Sequence, residues 1–310
     1  MGFSEISYPS ANGVNDVCAY VWTPEGGANV RGIVQISHGM AEHAMRYASF
    51  AQFLVDNGFI VCANDHVGHG RSANGVFGYF GEHKGHKTLA KDVYRLFCIM
   101  KKQHPDVPYV LLGHDMGALV ARYVCSLWGI EFDGVVLSGT GRVVNGSPSS
   151  FVSVLGGIRG QKRETKMFHR IKRHAVNRPF RGEDPHYAWR TRDEQEIETI
   201  KADPLFDFNF TYAGIRDMLK LSEIVSGGQW VARMPKDLPV YLFSGLEDPI
   251  GGFGRDVLKV YERLVNEDCE SVEIKLYEDA RHDMLFELNK DEVYGDVLRW
   301  LTEVVTDRQA

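Results

Sequence analysis

The stretch Tyr109-Val110-Leu111-Leu112-Gly113-His114-Asp115-Met116-Gly117-Ala118-Leu119-Val120 runs from an apolar strand pattern through small residues into a helix pattern, with Asp115 at its centre. A strand that turns sharply into a helix lifts the central side chain above the sheet edge, where it can act as a nucleophile. Gly113 and Gly117 suit this turn, because the backbone is strained there and strand and helix must pass close together. Elbows of this kind usually present a serine hydroxyl, and this one presents a carboxylate. Acyl transfer would need three further parts: a histidine to move protons, an acid to orient it, and backbone amides for the oxyanion.

On such an elbow the chain order is nucleophile, acid, histidine, and Asp115, Asp248 and His282 satisfy it. Asp248 follows a late strand pattern in Phe243-Ser244-Gly245-Leu246-Glu247-Asp248-Pro249, where a loop at the carboxyl end of a strand can carry a catalytic acid. An Asp-Pro turn without catalytic role and the neighbouring Glu247 are the alternatives. His282 lies in Tyr277-Glu278-Asp279-Ala280-Arg281-His282-Asp283-Met284, between the last strand pattern and the last helix pattern. The expected oxyanion donors are the amides of Met116, directly after the nucleophile, and Met40, in the loop Ser37-His38-Gly39-Met40-Ala41-Glu42-His43. Gly39 permits the turn that aims the Met40 N–H inward, and Gly39 and His114 are expected to border the substrate. The histidine pairs His38/His43 and His66/His69 read as loop-supporting hydrogen bonds more than as a metal site, since no carboxylate triad or cysteine pair completes one.

These parts need a scaffold. From 17 to 137 strand-like and helix-like segments alternate, the pattern of a mostly parallel sheet covered on both faces. Strands are expected at 17–22, 32–37, 59–63, 109–113 and 134–137, with helices over 47–57 and 89–104. From about 143 to 234 the chain is aromatic, basic and irregular, and the alternation resumes with strands at 239–243 and 272–277 and helices at 255–267 and 291–305. The expected layout is a core of residues 1–142 and 235–310 interrupted by a cap at 143–234, an α/β fold with a mostly parallel eight-stranded sheet.

With 310 residues, 44% of them hydrophobic, the chain can bury a large core. Its start has neither a basic leader nor an apolar run, and no stretch approaches the roughly 20 apolar residues that span a bilayer, so a soluble cytoplasmic protein is expected. Five scattered cysteines without zinc spacings fit reduced thiols. A net charge of -6 argues against nucleic acid as a partner.

His38-Gly39-Met40-Ala41-Glu42-His43 with Arg46-Tyr47, then Asp65-His66-Val67-Gly68-His69-Gly70-Arg71-Ser72, then Gly113-His114-Asp115-Met116-Gly117, together resemble the monoacylglycerol lipase and lysophospholipase group of α/β-hydrolases, of serine aminopeptidase S33 type. The resemblance spans most of the sheet domain and is weak across the cap. It implies a Ser-Asp-His triad completed by Asp248 and His282, an oxyanion hole at Met40 and Met116, no metal or organic cofactor, and small-molecule or lipid ester substrates. The departure is Asp115, where that group has serine. A carboxylate attacking an ester yields a mixed anhydride, an uphill step, so a disabled serine esterase is one reading. A second is an aspartate nucleophile that displaces at an alkyl carbon, as in haloalkane dehalogenases and epoxide hydrolases, although Met116 and Ala41 differ from those families' usual residues. A third is a ligand-binding protein without catalysis.

In the cap, Arg159-Gly160-Gln161-Lys162-Arg163-Glu164-Thr165-Lys166, Arg170-Ile171-Lys172-Arg173 and Arg178 make a basic run inside an acidic protein. It reads as a solvated helix face, or as a lid that makes transient contact with anionic lipid surfaces. Phe206, Phe208 and Phe210 alternate, with Tyr187, Trp189 and Trp230 elsewhere in the cap, as core of the cap or as wall of a substrate pocket.

Overall fold

The computed structural model describes residues 1–26, 30–141 and 148–307. Eight strands form one sheet: β1 (Gly2–Pro9), β2 (Asp16–Thr23), β3 (Gly32–Ser37), β4 (Phe59–Asn64), β5 (Tyr109–His114), β6 (Gly134–Ser138), β7 (Val240–Gly245) and β8 (Val272–Tyr277). They lie in the order β1-β2-β4-β3-β5-β6-β7-β8. β2 pairs antiparallel with both β1 and β4, and the remaining pairs are parallel. β3 through β7 are buried along their whole length, which is why their sequences are continuous apolar runs. β1 is an edge strand, mostly exposed, and its sequence lacks the apolar alternation by which the others are recognised.

Helices cover both faces. α1 (Ala48–Asp56) joins β3 to β4, α2 (Gly85–Gln103) precedes β5, and α3 (Met116–Trp128) follows it. The segment between β6 and β7 contains α4 (Pro148–Arg159), α5 (Lys166–Asn177), α6 (Glu194–Ala202), α7 (Tyr212–Ser226) and the short α8 (Gln229–Ala232). α9 (Arg255–Asn266) and α10 (Lys290–Asp307) complete the chain. One face of the sheet packs Leu89, Val93, Leu119 and Val120 from α2 and α3, and the other packs Phe50 and Leu54 from α1 with Val297, Trp300 and Leu301 from α10. No helix among the described residues is long and apolar enough to cross a membrane.

Register brings the chemistry together. Ser37 pairs with Gly113 and His114 with Ser138, so β3, β5 and β6 end level and their following loops meet at one sheet edge. The β6–β7 insertion is tied over that edge: Asp207 N–H donates to Ala41 O at 2.9 Å, and Thr211 N–H to Gly78 O at 3.2 Å. The boundary expected at 142–143 lies outside the described residues, while α8 ends at Ala232, close to the expected return at 235.

Candidate active site

Asp115 sits between β5 and α3 at φ 50°, ψ −115°, a backbone region that an L-residue occupies only when its surroundings hold it. The surroundings do so. A Cβ on Gly117 would lie 1.9 Å from Ser37 O, and one on Gly113 would lie 2.4 Å from Gly117 O. Both glycines are therefore required by backbone passing backbone, and Asp115 N–H is pinned by donation to Ser138 O at 3.1 Å.

The two carboxylate oxygens of Asp115 have different partners. Oδ2 accepts from Met40 N–H at 2.9 Å, and Oδ1 lies 3.7 Å from His282 Nε2. Gly39 allows the approach, since a Cβ there would stand 3.2 Å from Asp115 Cβ and 2.8 Å from Glu42 Oε1. Met116 opens α3, so its amide is one of those a helix start leaves without an intrahelical partner, and the positive end of the helix dipole lies beneath Asp115.

His282 is fully buried in the loop between β8 and α10. Its Nδ1 stands 2.9 Å from Asp248 Oδ2, close enough for an ion pair but off the direction of a linear hydrogen bond. Asp248, also fully buried, is fixed by Ser244 Oγ donating to Oδ2 at 2.9 Å and Ile250 N–H donating to Oδ1 at 2.8 Å. Glu247 turns instead to Arg281, whose Nε donates to it at 3.3 Å. Burial alone would suppress the His282 imidazolium. Asp248 and then Asp115 and Asp283 outweigh it and hold the pKa above the ordinary histidine value. Burial likewise opposes ionisation of Asp115, but His282, Lys172, His114 and the Met40 amide prevail and hold its pKa below the usual carboxylate value. The site is thus built around an Asp115 carboxylate facing a histidine that favours its charged form.

A second layer fixes the oxyanion loop. Glu42, fully buried, accepts from Gly39 N–H, from Tyr47 OH at 2.6 Å and from Arg46 Nη1. Arg46 Nη2 also donates to Asp283 at 2.7 Å and Glu196 at 3.0 Å, so one guanidinium joins the oxyanion loop, the His282 loop and α6. His114 contacts Asp283 Oδ1 through Nε2 at 3.3 Å and Ser138 Oγ through Nδ1 at 3.1 Å, and its ring centre is 4.9 Å from that of His282. The histidine pairs support loops. His66 N–H donates to His38 Nε2 at 2.9 Å, and His43 reaches Asp203 in the insertion at 2.6 Å. Among the described residues, His114, His282 and Asp283 have side-chain atoms grouped tightly enough to ligate a metal, but Arg46 and Arg190 already neutralise Asp283, and Asp248 faces His282.

Asp115, Asp248, His282, Met40, Met116, Gly39 and His114 therefore converge. The three phenylalanines pack against the surrounding loops. Phe210 is buried against His69 and Phe80, Phe208 packs on Phe77 and His69, and Phe206 lies under the guanidinium groups of Arg46 and Arg190. Two residues of the insertion, Trp189 of the cap aromatics and Lys172 of the basic run, also come to the site. The Trp189 ring centre is 5.1 Å from that of His282, and Lys172 Nζ rests 3.4 Å from Met40 Sδ. The spacing His169, Lys172, Val176 marks the inward face of α5 and was the available signal; Lys166 and Arg170 on the same helix point to solvent.

The family model described as serine aminopeptidase, S33 matches residues 28–289. A monoacylglycerol lipase of Mycolicibacterium smegmatis is 28% identical over 300 residues, covering 96% of this chain and 96% of that protein. A mouse monoglyceride lipase is 27% identical over 305 residues, with 97% of this chain and 90% of that protein covered. The crystal structure of a highly thermostable carboxyl esterase from Bacillus coagulans, in complex with glycerol, superposes with a TM-score of 0.89 at 30% identity, over 98% of this chain and 99% of that one.

Proposed function

Because the chain belongs to the serine aminopeptidase S33 family of α/β-hydrolases, we propose that it carries the apparatus of a carboxylic-ester hydrolase for monoacylglycerol-like or lysophospholipid-like esters, silenced at its nucleophile position. In the serine form of this site, residue 115 attacks the ester carbonyl while His282 takes the hydroxyl proton and later gives it to the leaving alcohol. Asp248 orients His282, the amides of Met40 and Met116 hold the oxyanion, and the insertion over 143–234 is the cap that selects the substrate. The full-length similarity to proteins named as lipases and esterases supports the reaction class.

The observation that carries the silencing is Asp115 Oδ2 on the Met40 N–H at 2.9 Å. The donor an incoming oxyanion needs is already taken by a charged acceptor, and attack by the carboxylate would climb to an anhydride. A second reading draws on the other oxygen. Oδ1 faces His282 at 3.7 Å while Oδ2 stays on the amide, which is how a carboxylate would be held to displace a leaving group at an alkyl carbon. The covalent ester so formed would be hydrolysed by water that His282 activates. The same proposal extends to the outer face of α4 and α5, where exposed Phe151, Ile158 and Ile171 stand among Arg159, Lys162 and Lys166, as the face that meets a lipid surface.

The deciding experiment follows chromogenic acyl esters of increasing chain length with the chain as it stands and with Asp115→Ser, alongside halide release from haloalkanes and opening of epoxides. We expect ester turnover to rise by about 10⁴-fold or more in the serine form, since removing one member of such a triad costs about 10⁴ to 10⁶. No gain in esterase activity, with halide release or epoxide opening by the aspartate form, would replace the first reading with the second. Silence of both forms in all assays would overturn both.

A further inference from the structure

Among the described residues Lys172 brings an ammonium group from the insertion into the site, and the carboxylates that attract it stand beyond ion-pair distance. No carboxylate lies within ion-pair distance of it among the described residues. Its cationic neighbours are provided for: Arg173 pairs with Asp207 at 2.7 Å and Arg190 with Asp283 at 3.2 Å. The Asp207 oxygen that Arg173 holds also accepts from Tyr187 OH at 3.0 Å, so that carboxylate is committed elsewhere. Burial lowers the Lys172 pKa below the ordinary lysine value, and the carboxylate that most opposes the fall is Asp115. Put a serine at 115 and Lys172 loses its main counter-charge, keeping only the weaker attraction of Asp207 and Asp248 against the repulsion of Arg190.

The place of Lys172 says which part of a substrate it would meet. Lys172 Nζ touches Met40, the residue whose amide binds at the oxyanion position, and lies 5.7 Å from the Trp189 ring, which in turn packs against His282. Lys172 is thus linked to the oxyanion loop through Met40 and, through Trp189, to His282, the group that gives the leaving alcohol its proton in the serine form. The adjoining cleft between Met40, Lys172, Arg173, Trp189 and Arg190, with the Asp207 carboxylate also in its wall, is narrow, about 40 Å³, the scale of an ordered water or a small polar group rather than an acyl chain. A cation without a partner in such a cleft is a recognition point for an oxyanion.

We propose that Lys172 is a specificity residue that binds a phosphate group carried by the alcohol side of the ester, so that the serine form of this site prefers phosphate-bearing monoacyl esters to neutral ones. In the chain as it stands, the Asp115 carboxylate supplies the negative charge that such a substrate would bring. This inference names the substrate class of the ester-hydrolase reading and rests on it.

The test uses Asp115→Ser as parent, with 1-decanoylglycerol 3-phosphate and neutral 1-decanoylglycerol as paired substrates. We expect the parent to favour the phosphate ester at least tenfold in kcat/KM. Adding Lys172→Met should abolish the ratio between the two substrates, mostly through a raised KM for the phosphate ester; Lys172→Arg should keep it. Equal losses on both substrates, or a parent that prefers the neutral ester, would overturn the proposal. Binding separates it from the reading beneath it. Glycerol 3-phosphate should raise the thermal midpoint of Asp115→Ser and not that of Asp115→Ser/Lys172→Met, whether or not either protein turns over ester. Stabilisation of the parent by glycerol 3-phosphate without ester turnover would refute the hydrolase reading and leave Lys172 as an anion site. Inorganic phosphate is run in parallel: stabilisation equal to that by glycerol 3-phosphate would mark a free-anion site and overturn the substrate assignment, as would no stabilisation by either compound.

Discussion

Exchanging a hydroxyl for a carboxylate at residue 115 adds one negative charge 3.7 Å from the His282 ring, and the two groups then support each other's ionisation. The pH dependence follows from the two directions. Asp115 has a folded pKa below its unfolded value near 3.9, so its contribution to stability is present above that value and lost as pH falls through the lowered folded pKa. His282 has a folded pKa above its unfolded value near 6.5, so its contribution is complete below about 6.5 and lost as pH rises through the raised folded pKa. Both are fully present between about pH 4 and 6.5. The chain should therefore exceed Asp115→Asn in thermal midpoint most clearly in that window, with the gap narrowing on either side, and the imidazole titration of His282 followed by NMR should move to lower pH in the variant. A gap that stays constant from pH 4 to 9, with an unmoved imidazole, would mean the two residues are not coupled. The same coupling keeps His282 committed to a charged partner, which is the electrostatic counterpart of the silencing proposed from the Met40 contact.

At the level of elements, the elbow is a steric device. Gly117 has no room for a side chain because Ser37 O lies 1.9 Å from where Cβ would be, and neither α3 nor β3 can yield without disturbing the level strand ends that align the site. Gly117→Ala should cost about 3 kcal/mol or more, the upper end of what overpacking does where backbone rather than a flexible side chain must move. Urea unfolding of the two proteins measures it, and a cost under about 1 kcal/mol would show that the turn relaxes easily. These elements were legible in sequence because elbow, oxyanion loop and His282 loop each follow a strand, and strand patterns with glycine-marked turns are local signals. β1 was missed because an exposed edge strand need not alternate. Lys172 and Trp189 could be named in sequence only as part of a basic run and of the cap aromatics, because which helix face of an insertion turns inward depends on docking across the sheet edge, and Arg46 reaches three segments that no local pattern relates. The choice of Asp248 over Glu247 came from position in the loop, and the physical distinction, Asp248 turned to His282 and Glu247 to Arg281, exists only once the loop is folded.

Over the whole molecule, charge and apolar surface are unevenly shared. The chain carries a net charge of -6, yet Arg159, Lys162, Arg163 and Lys166 crowd the rim of an apolar groove of about 1360 Å³ between α4, α5 and α7. Phe151, Met167 and Ile171 line it and are each more than 60% exposed, a grouping of apolar side chains of the kind that marks an interaction surface. An interfacial helix pair needs both ingredients, since each basic residue gains about 1 kcal/mol beside an anionic membrane and each buried methylene about 0.8 kcal/mol. The two contributions respond to different conditions, which allows a sharp expectation. The protein should co-sediment with vesicles containing phosphatidylglycerol and much less with pure phosphatidylcholine, and raising salt from about 0.05 to 0.5 M should weaken binding as screening shortens the reach of the basic rim. Ile171→Glu should weaken it at both salt levels, because that change removes apolar contact and adds repulsion together. Binding that is indifferent to lipid charge, or untouched by Ile171→Glu, would place the basic run back on an ordinary solvated face. The outcome also bears on catalysis: Lys172 follows Ile171 on α5, so a membrane that seats the outer face of this helix holds the helix that presents Lys172 to the site.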